Sequence, residues 1–239
     1  VKITETRSQA PADATESLAE SVLRALTGPR HAFRLREHVH NPTDLAAVRV
    51  LNTDALAPFA LHEQPISAED AEVIREAVLT YPPPEPTDHG SALLWRYRDW
   101  ALGRLLRDLG GHDVPGTPEA PGGDSEISAP TAEFPTGQGW PAFTALLAQL
   151  SSLAMPGLRS PARDQARLRR QDLTRGMVRA MLRKDPPTAA RLARWVALDL
   201  ADEPEPLLAP ALAHLEFYAT TAPRARLELT IARLLEARK

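Results

Sequence analysis

The sequence predicts a mainly α-helical protein in three parts. These are a small α(+β) N-terminal domain at residues 1–109, a Pro/Gly-rich acidic linker at 110–139, and a C-terminal bundle of about five helices at 140–239. Three observations carry this reading. Apolar residues recur at i, i+3 and i+4 through most of the chain, the period of a helix with one buried face. Residues 110–139 hold five prolines, seven glycines and five acids, with no lysine or arginine and no periodicity. So long a structureless stretch is unusual inside one compact domain and reads as a boundary. Finally, Pro187, Pro206 and Pro223 stand at the heads of apolar runs, where proline suits the first helical turn.

Taken in order, residues 1–11 read as a loose tail. Ala12–Leu26 is a helix with Leu18, Val22, Leu23 and Leu26 on one face and early acids suited to the macrodipole. Gly28-Pro29 stops it. Arg30–His40 alternates: Phe33, Leu35 and Val39 face one way, and Arg34, Arg36, His38 and His40 face the other. That is the period of a half-buried strand. After the Asn41-Pro42 turn, Leu45–Leu51 reads either as a second strand completing a two-stranded hairpin or as a short helix capped by Thr43.

Ser67–Tyr81 is a helix with a capping serine, Asp70 at the capping-box position, and Val73, Ile74, Ala77 and Val78 as its buried stripe. A polyproline-like connector, Pro82–Pro86, follows it. Ser91–Leu109 is a helix apolar on several faces, either central to its domain or offering a second face to a partner. Beyond the linker come Pro141–Ala154, the basic stretch Pro161–Lys184, Thr188–Leu200, Leu207–Ala219 and a last helix opened by Pro223. The short connections suit antiparallel neighbours in a bundle.

Charge is unevenly spread. Net charge is −4 over residues 1–109, −5 over 110–139 and +6 over 140–239. The positive excess concentrates in Pro161–Lys184, where Arg163, Arg167, Arg169, Arg170, Arg175, Arg179, Arg183 and Lys184 face only Asp164 and Asp172. As one helix, this stretch would bury Ala162, Ala166, Leu173, Met177, Ala180 and Met181 and turn a cationic arc outward, with a kink available at Gly176. A one-sided cationic arc suits polyanion binding. The competing reading pairs these arginines with acids elsewhere and uses their stems to cover apolar surface. Arg34 and Arg36 make a smaller second candidate for anion contact.

Chemistry leaves few marks. The chain has no cysteine, so disulfides, thiolate metal sites and Cys nucleophiles are excluded. No phosphate-binding glycine loop, zinc-protease helix or nucleophile elbow is present. His38-x-His40 lacks a third ligand at a telling spacing and sits among arginines, so no metal site is assigned. No catalytic residue and no cofactor is expected. No stretch approaches the ~18 apolar residues of a membrane span, and the N-terminus has no signal-like core, so a cytoplasmic protein without membrane contact is expected. Arginine replaces lysine almost throughout, and with abundant Ala, Leu and Pro this matches a GC-rich bacterial genome.

The expectation is therefore a non-enzymatic protein contacting DNA or RNA phosphates through an Arg-rich helix, with weak sequence specificity. No helix-turn-helix is visible. The alternative is a helical scaffold or adaptor whose arginines meet an acidic protein partner or a sister subunit. An enzyme whose site assembles only in space is the lesser alternative.

Overall fold

Asn41-Pro42 shows how local chemistry sets this fold. The Asn41 carboxamide accepts from the backbone N–H groups of Thr43 and Asp44, and Pro42 takes the first helical position. Asp44 reaches back to the N–H of His40 at 2.9 Å. These reciprocal caps launch a helix, where a hairpin turn was the other reading. The computed structural model describes residues 2–28, 33–111, 134–199, 205–218 and 222–238 (side chains from residue 11, His89 apart). Within these residues the protein is mainly helical and contains no strand.

Residues 1–121 and 122–239 form two units. The first holds α1 (Lys2–Thr27), α2 (Pro42–Leu51), α3 (Ala57–His62), α4 (Ala68–Thr80) and α5 (His89–Asp108). The second holds α6 (Trp140–Gln149), α7 (Pro161–Leu168), α8 (Arg170–Leu182), α9 (Pro186–Leu198), α10 (Leu208–Tyr218) and α11 (Pro223–Glu236). The division falls in a stretch, 112–133, that lies outside the described residues together with most of the expected linker.

Two expectations for the first unit are corrected. The alternating stretch is not a strand: Leu35–His38 forms a 3-10 turn and Leu45–Leu51 lies in α2. Leu35 and Val39 are buried and Arg34, Arg36 and His40 exposed as the alternation predicts, but Phe33 and His38, expected on opposite faces, are both half-buried and stack on each other. Asp70 holds the turn. Its buried carboxylate accepts the Arg36 backbone N–H at 2.8 Å and the Ser67 hydroxyl at 2.9 Å, tying residues 35–38 to the start of α4. The second correction is the tail, because α1 already begins at Lys2.

Of the broad apolar surface of α5, Leu93, Tyr97, Trp100, Leu102, Leu105 and Leu106 are buried, while Leu94 and Trp95 are half-buried. It packs on the 3-10 turn Asn52–Leu56, which follows α2. Arg49 of α2 bridges the same region, pairing with Asp99 of α5 and donating to the carbonyl of Tyr81 at 2.9 Å.

In the second unit α9 is central and packs against α6, α8, α10 and α11. Its sequence explains the position: Ala189, Ala190, Ala193 and Ala197 allow close approach, while Leu192, Trp195 and Val196 fill the space between neighbours. The Trp195 indole N–H donates to the carbonyl of Leu147, linking α9 to α6 at 2.7 Å.

Candidate functional site

The basic stretch is two helices, broken at Arg169 rather than kinked at Gly176. Ser160 accepts from the N–H of Arg163 and Pro161 opens α7. At Arg169 the backbone turns out of helical geometry, with φ −114° and ψ 34°. Its guanidinium grips Asp172 through Nε at 3.0 Å and Nη2 at 2.8 Å and lies 4.0 Å from the Phe143 ring centre. Gly176 serves close packing instead. A Cβ there would sit 2.7 Å from Thr144 Cγ2 and 3.1 Å from Leu192 Cδ1, so the missing side chain lets α8 lie against α6 and α9.

The cations of this stretch divide into two sets. Arg163 forms a bidentate pair with Asp199, Nη2 to Oδ1 at 2.6 Å and Nε to Oδ2 at 3.1 Å, and Nη1 donates to the carbonyl of Leu158. Arg170 donates to the carbonyls of Val196 and Asp199, closing the C-terminus of α9. Arg163 and Arg170 thus tie α7 and α8 to the end of α9, while Arg169 pairs within the first turn of α8. On α9, Arg191 and Arg194 both pair with Glu228, and Arg194 is wholly buried.

The remaining cations face solvent. Arg167, Arg175, Arg179, Arg183 and Lys184 are exposed. Arg175, 59% exposed, stands 3.7 Å from Asp172. Among the described residues Arg179, Arg183 and Lys184 make no ion pair. Arg175, Arg179 and Arg183 are four residues apart, so they align on one face of α8, rising about 6 Å per step. Lys184 follows in the left-handed conformation, φ 57°, while the Asp185 N–H returns to the Ala180 carbonyl at 2.9 Å. Positive charge at this end also suits the helix dipole.

Beside this face opens a cleft of about 500 Å³ lined by Trp140, Thr144, Gly176, Arg179, Arg183, Asp185 and Thr188, among others. The indole of half-buried Trp140 lies 5.5 Å from the Arg175 Cζ and 5.2 Å from the Arg179 Cζ, centroid to carbon. Such contacts hold guanidinium planes against an aromatic face while leaving their N–H groups free to donate. The Asp185 carboxylate caps α9 by accepting the Thr188 N–H at 3.1 Å. Trp140 went unassigned on sequence grounds because 35 or more residues separate it from the arginines it meets. The local signal was Pro141, which marks the first turn of α6.

Arg34 and Arg36 belong to the other unit. Both are exposed, and Arg36 Nη1 lies 3.7 Å from Glu76. His38 stacks on Phe33 at 5.3 Å with the rings 18° apart. No cluster of three or more His, Cys, Asp or Glu suited to a metal occurs among the described residues. No helix among them is long and apolar enough to cross a membrane. Family models, curated proteins and solved structures offer no match to this chain.

Proposed function

We propose that this chain is a non-enzymatic nucleic-acid-binding protein that grips phosphates through Arg175, Arg179, Arg183 and Lys184. The observation that carries the reading is the row of exposed cations formed by Arg175 and Arg179 of α8 and by Arg183 and Lys184 just past its end, with Trp140 held against it. Contacts of this kind position a nucleic acid without reading its sequence. Four neutralised phosphates give a salt slope of about −3.6 on duplex DNA, so affinity falls roughly a hundredfold between 50 and 200 mM salt. The test is fluorescence anisotropy of labelled oligonucleotides at those two salt concentrations. Salt-sensitive binding that vanishes in the Arg175→Glu, Arg179→Glu, Arg183→Glu triple variant supports the reading. No binding at 50 mM salt overturns it.

A second reading, a scaffold for protein interaction, rests on α10. Phe217 is 78% exposed and Tyr218 59%, their rings in T-shaped contact at 5.3 Å, and Leu207 is exposed nearby in sequence. Exposed apolar groups of this kind suit protein contact. On α5, Leu93, Trp100, Leu105 and Leu106 are buried, and Leu94 and Trp95 are half-buried.

A further inference from the structure

Resting on the phosphate-binding reading, we infer that the ligand is a single strand, with one unpaired base entering the cleft and stacking on Trp140. A cationic helix face alone would serve duplex and single strand alike. The recess distinguishes them. Its lining includes the buried small groups Gly176 and Ala180, and its volume of about 500 Å³ leaves room for a small planar group. A duplex keeps its bases stacked and paired, whereas an unpaired base presents a flat face to an aromatic side chain.

The charges in the recess fix an orientation. Arg179 and Arg183 of the lining favour the phosphate, with Arg175 continuing the row along α8. Asp185 also belongs to the lining. Its carboxylate repels phosphate and accepts N–H groups, so the hydrogen-bonding edge of the base belongs there. The indole lies within reach of two guanidiniums, which supply further flat cationic surface for stacking.

The experiment titrates the full chain into labelled 20-nucleotide oligothymidine, 20-nucleotide oligouridine and a 20-base-pair DNA duplex at 50 mM salt. It compares wild type, Trp140→Ala, Trp140→Phe and the triple charge reversal, with the folded state of each variant checked by circular dichroism. One or both single strands should bind at least tenfold tighter than the duplex, the tighter of the two identifying the sugar. Trp140→Ala should weaken strand binding about fivefold to a hundredfold and leave duplex binding unchanged, while Trp140→Phe retains most of it. Equal affinity for strand and duplex, unaltered in Trp140→Ala, overturns this inference and leaves phosphate binding standing. Should Trp140→Ala fail to fold, the wild-type ratio of strand to duplex and the Trp140→Phe titration decide it. Absence of binding to all three probes overturns both readings together.

Discussion

Arg194 of α9, with no exposed surface, donates from Nη1 to the buried carboxylate of Glu228 of α11 at 3.0 Å. The rest of both groups is also satisfied. Nε of Arg194 donates to the Ala154 carbonyl at 3.1 Å and Nη2 to that of Ser152 at 3.2 Å. The Ser151 hydroxyl donates to the second oxygen of Glu228 at 2.9 Å. A buried ion pair offers little net stability over an apolar pair, but losing one partner strands a charge. Glu228→Ala is therefore expected to cost about 3–5 kcal/mol in chemical denaturation. Joint replacement, Arg194→Met with Glu228→Leu, should cost less than the sum of the two single changes. Additive losses would mean that the pair does not act as a unit.

The two sets of arginines should separate in mutagenesis. Arg163→Ala removes a bidentate pair with Asp199 and a bond to the Leu158 carbonyl. It is expected to lower stability by about 1–3 kcal/mol without changing oligonucleotide affinity. Arg179→Ala removes an exposed side chain with no ion pair among the described residues. It also removes the contact with the Trp140 ring, so stability should fall by no more than about 1 kcal/mol, while the salt slope of binding drops by about 1. Thermal melts and anisotropy titrations of both variants check this. A loss of affinity in Arg163→Ala equal to that in Arg179→Ala would dissolve the distinction.

What the sequence made legible was local. The Ser67 cap, the stripe Val73, Ile74, Ala77 and Val78, and the helix opened by Pro223 all depend on residues within one or two turns, and all stand as read. The hairpin reading failed because burying Leu35 and Val39 satisfies a strand period and also a tight 3-10 turn. What decides between them is Asp70, more than 30 residues away. The arginines show the same limit. Arg163 and Arg179 look alike in sequence, and the carboxylate that separates their roles, Asp199, lies 36 residues beyond Arg163. Trp140 joined the site only when Gly176 let α8 approach α6.

Asn52 carries backbone strain that a paired substitution can measure. It ends α2 at φ 59° and ψ −130°, is wholly buried, and neither its carboxamide oxygen nor its nitrogen has a hydrogen-bond partner among the described residues. Glycine reaches this conformation without a Cβ clash. Asn52→Ala and Asn52→Gly both delete the buried amide, but only glycine relieves the backbone. Asn52→Gly should therefore be more stable than Asn52→Ala by about 1–3 kcal/mol, measured by the shift in denaturation midpoint. Equal stability would show that the backbone relaxes at this position.

His38 should make stability depend on pH. Burial, reinforced by the Arg24 guanidinium of α1, lowers its imidazole pKa below the ordinary 6.5. His40 acts in the same direction, while Glu37 and Asp70 oppose it. At a pH between the lowered folded value and 6.5, the unfolded chain binds the proton and the folded chain does not. Stability therefore rises with pH across that window. The contribution is complete above about 6.5 and is lost as the pH falls toward the folded value. Melting temperatures of wild type and His38→Gln, taken from pH 7.5 to pH 5, isolate this group because every other titrating residue is common to both. The wild-type curve should fall more steeply below pH 6.5. Parallel curves would mean that the imidazole protonates in the fold as readily as in the open chain, and that its stack on Phe33 does not keep it neutral.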